Sequence, residues 1–353
     1  MPTLRLYARY PFMKGAVEYI RGLGVELEDV ISDIAFEAVR SRGRQRVVNA
    51  LQMGDIGEVS LVTEYEKKVE LLSYPVARMI VSAVGDYYLI RKYALAEATR
   101  MERRMYEDYE EYKKAGRRRA SNFLILMAES LGVDCLAAGD DFSLHICDYL
   151  TMATPLHAME YKLVHQRVQK GRVIVNARRL IRLFRERITR MIEEQLPLPM
   201  DNDIAEALSP YIWEVMDILD DTKDKSFVSD IDTEHVEFEC FPPCMKEIMA
   251  SIERGENVPH MGRFSLTAFL HYIGMSNEEI LKIFARSSDF ADRIARYQID
   301  HITGKISGKE YLPPECNTMR TYGLCNGGDD LCKKEWMHHP LIYYRACTKR
   351  RKK

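Results

Sequence analysis

The sequence contains no long uninterrupted run of apolar residues. In its most apolar stretch, residues 76 to 84, Arg78 breaks the run, and Asp86 follows closely after it. Such a segment is too short and too polar to cross a membrane as a helix. The first residues, MPTLRLYARYPF, also lack an apolar signal segment. We therefore expect a cytoplasmic protein whose cysteines are kept reduced.

An excess of charge of one sign is also absent. The chain has 51 Lys and Arg against 53 Asp and Glu, and its net charge of −2 says nothing about nucleic acid by itself. The tail, residues 345 to 353, is a basic block. Such a block is typical of a solvated end, although it would attract phosphate beside a nucleic-acid site.

The carboxylate cluster that nucleotidyl transfer requires is missing as well. Polymerisation needs carboxylates that hold two Mg²⁺ ions, and the nearest candidate, Asp140 with Asp141, is an isolated pair. The sequence therefore predicts a chain that does not catalyse polymerisation itself.

What the chain does contain is a spaced set of cysteines. Of its eight cysteines, Cys244, Cys316, Cys325 and Cys332 lie in the last third, in turns rich in Pro and Gly, with the spacing C-x71-C-x8-C-x6-C. Ligands this far apart must come from separate elements of one folded domain. The layout suggests an iron–sulfur cluster buried in protein.

The cysteines admit other interpretations. Structural zinc sites usually supply a tight C-x2-C or C-x4-C pair, which these four lack. Disulfides are not expected in a reducing compartment. Plain packing suits Cys135 and Cys147, which lie in apolar stretches, whereas Cys240 and Cys347 remain possible ligands.

Periodicity predicts a mainly α fold with a small α+β element. Residues 65 to 105 and 122 to 131 carry apolar residues at helical spacing, and residues 171 to 176 give a short strand signal. Asn176 can cap a following helix whose arginines are typical of a solvated face. The segment Leu196-Pro197-Leu198-Pro199 ends that helix. We predict a helical N-terminal domain over residues 1 to 216, an acidic linker over 217 to 230, and a helical, loop-rich domain over 231 to 353.

Within the C-terminal domain, helix boundaries can be read from single residues. Pro243 is suited to the start of a helix that carries Cys244 in its first turn, and Gly255 ends it. Gly274 ends a second helix, over residues 263 to 272. Ser276 and Glu279 form a capping box for a third. Little periodicity follows around Cys316, Cys325 and Cys332, and a cluster would hold this stretch in place.

Four blocks of this domain resemble the C-terminal domain of the large subunit of archaeal and eukaryotic primases. They are Phe241-Pro242-Pro243-Cys244-Met245-Lys246, Pro259-His260-Met261-Gly262-Arg263-Phe264, the segment from Cys316 to Cys325, and Cys332 ahead of His339-Pro340-Leu341-Ile342-Tyr343-Tyr344. The opening Tyr7-Ala8-Arg9-Tyr10-Pro11-Phe12 is similar to archaeal members. The resemblance is strong after about residue 235 and weak before it.

This resemblance implies a cofactor and partners. The four cysteines would bind one [4Fe-4S] cluster, and the N-terminal domain would bind a catalytic small subunit. The chain would be the regulatory, non-catalytic subunit of a heterodimer that starts RNA primers on a single-stranded DNA template.

The same resemblance implies nucleic-acid contacts. His260 and Arg263 would contact the 5′-triphosphate end of the primer, the initiating nucleoside triphosphate and the template overhang. A second block would supply Tyr297, His301 and Lys305. Pro259 departs from the eukaryotic pattern, in which an arginine precedes the histidine, so a weaker grip is expected. Taken alone, His260 and Arg263 are more typical of a surface or capping role than of a phosphate contact. Tyr297 and His301 are as typical of packed and solvated surface positions as of a nucleic-acid contact.

An iron–sulfur DNA repair enzyme, or another nucleic-acid-binding protein, is the alternative. The wide C-x71-C gap argues against a small ferredoxin-like redox carrier.

Overall fold

The computed structural model describes residues 3–200, 202–220, 236–286, 291–306 and 308–351. The fold is mainly α with one small sheet, as the periodicity predicts. Contacts between Cα atoms divide the chain into two compact units. The first comprises Met1–Ile80 and Ile90–Leu198, and the second comprises Val81–Leu89 and Pro199–Lys353.

Helices dominate the N-terminal half. They are α1 (Leu4–Arg9), α2 (Lys14–Gly22), α3 (Leu27–Ser32), α4 (Glu37–Met53), α5 (Glu64–Val84), α6 (Tyr87–Lys114) and α7 (Arg117–Ser130), with a 3₁₀ turn at Ile34–Phe36. The predicted helical stretch over 65 to 105 is thus two helices. Gly85, at a φ of +55°, separates them because only glycine adopts this left-handed conformation without strain.

A buried ionic network lies in the core of the first unit. The Nε and Nη2 atoms of Arg46 each donate a hydrogen bond of 2.8 Å to a carboxylate oxygen of Glu97, and neither side chain is exposed. Glu70 completes the set, at 2.8 Å from Arg42 and 3.0 Å from Arg104. Buried charges persist in a core only when they are paired in this way.

The sheet has four antiparallel strands in the order β1-β2-β4-β3, namely β1 (Cys135–Ala138), β2 (Asp141–His145), β3 (Arg167–Gln169) and β4 (Arg172–Val175). In the register, Ser143 pairs with Ile174. Helices α8 (Ile146–Ala153) and α9 (Ala177–Gln195) pack on the sheet, and short 3₁₀ turns at Met159–Tyr161 and Leu163–His165 lie between them. Only β4 was predicted; the other strands are three to five residues long and give weaker signals than the apolar run of β4.

Helix α9 agrees with its prediction. The side chain of Asn176 accepts a hydrogen bond of 2.9 Å from the backbone N–H of Arg179, and the helix ends just before Leu196. Its arginines make ion pairs, such as Arg185 to Glu102 at 3.1 Å. This pairing supports the interpretation of α9 as an ordinary surface helix.

The second unit contains α10 (Asn202–Ala207), α11 (Ser209–Asp220), α12 (Pro243–Glu253), α13 (His260–Tyr272), α14 (Asn277–Phe284), α15 (Asp292–Ile302), α16 (Cys316–Thr321) and α17 (Pro340–Arg351), with a 3₁₀ turn at Phe238–Cys240. The predicted helix start at Pro243 and the capping box of Ser276 and Glu279 are both present. Gly255 and Gly274 follow the ends of α12 and α13 with positive φ values. Helix α13 starts three residues earlier than predicted, at His260.

Residues 217–220, predicted as the start of the linker, form the last turn of α11. The rest of that linker lies outside the described residues. The contact boundary falls at Leu198, earlier than residue 216, because α10 and α11 pack on the helices that follow them. The signal at this boundary is the Pro-Leu-Pro break that ends α9.

Candidate metal centre and nucleic-acid face

The four spaced cysteines come together around one cavity. Cys244 lies in the first turn of α12 and Cys316 begins α16, while Cys325 and Cys332 lie in the loop between α16 and α17. All four line a cavity of about 320 Å³. A helix N-terminus favours a negatively charged group, so Cys244 is well placed to carry a thiolate.

The loop that carries Cys332 is fixed by its neighbours. A Cβ on Gly328 would lie 2.5 Å from the Sγ of Cys332, and its φ of +62° also requires glycine. The carboxylate of Asp329 accepts hydrogen bonds from the backbone N–H of Cys332 at 3.1 Å and from the hydroxyl of Tyr343 at 2.6 Å. These contacts hold the thiol towards the cavity.

Burial keeps the thiols of the cavity protonated. Burial, together with the neighbouring cysteines, raises the pKa of Cys244 to about 12. The pKa of Cys316 is raised to about 11, first by burial and then by Cys325. Buried thiols with raised pKa values are poor nucleophiles. Their thiolates form only when a metal centre supplies positive charge.

The donor set consists of four thiols, the ligands that an iron–sulfur cluster takes. Among the residues that the structure describes, no group of three or more His, Cys, Asp or Glu side chains is arranged to hold a metal ion. The four thiols line one cavity of about 320 Å³, whereas a single zinc ion would need all four sulfurs about 2.3 Å from one point. A cluster of four irons spans such a space and takes four thiolates.

The other four cysteines differ in part from expectation. Cys240 and Cys347 form a disulfide that joins the 3₁₀ turn before α12 to α17, so the expectation of unpaired cysteines is wrong for this pair, and neither sulfur is available to a metal. The fold brings together two residues 107 positions apart. Cys135 is buried as predicted, but Cys147 is exposed on α8.

Two helices carry the residues expected to contact nucleic acid. His260 and Arg263 lie in the first turn of α13, and Tyr297 and His301 lie one turn apart on α15, with ring centroids 6.2 Å apart. His260 and Arg263 share a cleft of about 200 Å³ with Gln298 of α15. The structure therefore brings the two predicted blocks to one place, which we call the α13–α15 face.

The predicted residues differ in how accessible they are. Tyr297 is 53% exposed, and Lys305 is exposed in the loop after α15, where it lies 3.3 Å from Asp300. Arg263 is half-buried, and its Nε donates to the carbonyl of Val258 at 3.1 Å. His260 is only 8% exposed. Burial and the charge of Arg263 lower the pKa of His260 to about 4, so it is neutral at pH 7.

Trp213 of α11 packs on this face, and sequence reasoning missed it. Its ring centroid lies 4.7 Å from that of His301 and 5.9 Å from that of His260. The chain has only two tryptophans, and this rarity was the available signal. Asp329, beside the cysteine cavity, was also missed, since nothing local distinguishes it from other loop carboxylates.

The α13–α15 face and the cysteine cavity are close neighbours. A Cβ on Gly262 of α13 would lie 2.7 Å from Val258 and 3.4 Å from Leu324. Leu324 precedes Cys325 and lines the cavity. The absent side chain of Gly262 lets the first turn of α13 approach the loop that carries Cys325.

One known family matches the part of the chain that holds both the cavity and the face. The family model that describes the C-terminal domain of the eukaryotic and archaeal DNA primase large subunit matches residues 234–341, a range that includes all four cavity cysteines. Over nearly the whole chain, the sequence is also similar to curated archaeal proteins named DNA primase large subunit. The one from Methanococcoides burtonii is 39% identical over 96% of this chain and 91% of that relative. The chain belongs to the DNA primase large subunit family.

Further relatives support this assignment. The primase large subunit of Methanocella arvoryzae is 35% identical over 98% of this chain and 90% of that relative, and that of Halobacterium salinarum is 38% identical over 96% and 92%. The predicted resemblance is thus confirmed for the whole chain. A primase large subunit is thereby favoured over the DNA repair alternative. Within its described residues, the chain has no helix long and apolar enough to span a bilayer.

Proposed function

We propose that this primase large subunit is the regulatory, non-catalytic partner of a catalytic small subunit. In this proposal its cysteines hold one [4Fe-4S] cluster, and its α13–α15 face binds the primer end on a single-stranded DNA template. The observation that carries the proposal is the cavity that Cys244, Cys316, Cys325 and Cys332 line together. Support comes also from the family match, which covers both the cavity and the face.

The role of a bound cluster would be to stabilise this unit. Its iron–thiolate bonds would tie α12, α16 and the loop before α17 into one body. Because Gly262 packs beside Leu324, a fixed loop would in turn support the first turn of α13. The cluster would therefore position the nucleic-acid face without contacting nucleic acid itself.

At the face, we assign cationic and aromatic side chains to different parts of the ligand. Arg263 would contact the 5′-triphosphate of the primer or of the initiating nucleoside triphosphate, because guanidinium groups form strong charged hydrogen bonds with phosphate. Lys305 would add attraction to the backbone. The exposed ring of Tyr297, with His301 beside it, can stack on a base. His260 is only 8% exposed, and it would supply a further polar contact once its ring became accessible.

We assign the contact with the small subunit to the first unit. Between residues 136 and 168 this unit exposes large apolar side chains, namely Leu136, Leu150, Met159, Val164 and Val168. Exposed apolar residues that concentrate in one stretch are typical of surfaces that bind another protein. Catalysis of nucleotidyl transfer would then reside in that partner.

Replacement of Arg263 tests the proposed role in initiation. In a heterodimer reconstituted with the small subunit, Arg263→Ala should slow the start of primers by about tenfold to a hundredfold, which is the loss of one charged hydrogen bond. Extension of a supplied primer and iron content should remain nearly unchanged. The exposed Arg254→Ala, at the end of α12, is the matched control. Equal activity of the two variants in initiation would remove Arg263 from the site.

A further inference from the structure

The α13–α15 face is covered by the segment that precedes it in the chain. Trp213 of α11 is 4% exposed and packs against His260, His301, Phe264 and Tyr311, with ring centroids between 4.7 and 5.9 Å apart. The tryptophan, Phe264 and Tyr311 form one buried apolar cluster with Met261, Ala268 and Ile302. Helix α11 is therefore packed on the face through its tryptophan.

The same segment brings acidic side chains to the face. Asp203 and Glu206 of α10 line the cleft of about 200 Å³ that His260 and Arg263 also line. On α11, a carboxylate oxygen of Asp217 lies 3.8 Å from the Nζ of Lys309. Carboxylates thus stand beside the basic side chains of this unit, where the phosphates of a nucleic acid would be attracted.

Trp213 places an aromatic ring against the two histidines, as the base of a nucleotide would. The carboxylates of α10 and α11 place negative charge beside the cations, as a phosphate would. We propose that α10 and α11 form an internal competitor, which occupies the α13–α15 face in the free subunit and leaves it when a primer and template bind. This inference rests on the proposed function, because it concerns regulation of the same face.

Two further observations support it. With α11 in place, His260 is only 8% exposed, so a phosphate cannot reach it unless the segment moves. Burial also lowers the pKa of His260, and a neutral imidazole offers less to an anion than a charged one. The covered state is thus poorly suited to binding, and uncovering the face would restore access to His260.

The test is binding of a 5′-triphosphate RNA primer annealed to a DNA template with a single-stranded overhang, followed by fluorescence anisotropy. The protein is the iron-loaded full chain bound to its small subunit. Trp213→Ala should tighten binding by up to about tenfold, because the apparent Kd is the intrinsic Kd divided by the fraction of chains with an open face. Trp336→Ala is the matched control, because Trp336 is 48% exposed. The affinity of this variant for the primer and template should equal that of the wild type.

A second variant guards against misfolding of the first. Asp203→Asn combined with Glu206→Gln changes only exposed side chains and should also tighten binding. If Trp213→Ala loses its iron, this double variant decides the question. Unchanged or weaker binding by an iron-loaded Trp213→Ala chain would overturn the proposal that α10 and α11 compete for the face. Unchanged binding by the double variant would overturn it as well.

Fluorescence gives an independent readout. In the Trp336→Phe chain, Trp213 is the single tryptophan, and its emission should shift to longer wavelength when the primer and template displace α11. An unshifted spectrum at saturating ligand would contradict the inference. These results differ from a failure of the proposed function, in which neither the wild type nor any variant would bind the triphosphate-primed template.

Discussion

His260 is a predicted nucleic-acid contact, but it is buried, and its position in the sequence did not reveal this burial. The sequence places it one helical turn before Arg263, and the resemblance to primases predicts a phosphate contact for this pair. In the structure it is buried beneath Trp213. The tryptophan comes from 47 residues upstream, so no local pattern could place it there. The cysteines were predictable because their chemistry and spacing carry the signal, whereas the cover of His260 depends on tertiary packing.

Burial of His260 makes the stability of the second unit depend on pH. Its folded-state pKa is about 4, against an ordinary value of 6.5. Above pH 6.5 the imidazole is mostly neutral in both the folded and the unfolded state, so the free energy of unfolding does not change. As the pH falls from 6.5 towards 4, only the unfolded or uncovered state binds the proton, and stability falls by up to about 1.4 kcal/mol per pH unit.

Thermal unfolding at pH 7 and pH 5 checks this expectation. His260→Gln should show a smaller loss of melting temperature between the two values than the wild type. His165→Gln, which changes an exposed histidine, should behave like the wild type. An equal loss in all three proteins would show that His260 is not buried as a neutral group.

Helix boundaries were the elements best predicted from the sequence. Pro243, Asn176 and the Ser276–Glu279 pair act through backbone hydrogen bonds or geometry in their own turn, so local residues suffice to identify them. The pairing of β2 with β4 and the Cys240–Cys347 disulfide were not predicted, because each joins residues that are distant in sequence. The packing of α13 against the loop before Cys325 was not predicted for the same reason.

Gly262 provides a direct test of that packing. Gly262→Ala would place a methyl group 2.7 Å from Val258 and 3.4 Å from Leu324. We expect a destabilisation of about 1–3 kcal/mol from overpacking, seen as a lower melting temperature. Gly22→Ala is the matched control at another helical glycine, where nothing lies within 4 Å of the added atom. A stabilised Gly262→Ala protein would mean that α13 does not approach the loop this closely.

At the scale of the whole molecule, the compact units differ from the predicted domains, because the second unit begins at Pro199 and also includes Val81–Leu89. Acidic composition suggested a boundary near residue 216, yet α11 packs through Trp213 with the second unit. The contact boundary at Leu198 coincides with the Pro-rich end of α9. Composition does not record which unit a helix packs on, and this explains the difference.

This division predicts separable functions. A chain that ends at Leu198 should still co-purify with the small subunit, because the exposed apolar stretch over residues 136 to 168 is complete in it. Residues 199 to 353 should retain iron but should not co-purify. The full chain in the same pull-down is the positive control. Capture of the small subunit by residues 199 to 353 alone would reverse the assignment of the two units.

The central claim is that one cluster is held by cysteines from α12, α16 and the following loop. The most direct test is iron and acid-labile sulfide content of the anaerobically purified chain, with an electron paramagnetic resonance spectrum after reduction. We predict about four irons and four sulfides per chain, with a large loss in Cys325→Ser and none in Cys135→Ser or Cys147→Ser. Full iron content in Cys325→Ser, or zinc in place of iron in the wild type, would contradict the account.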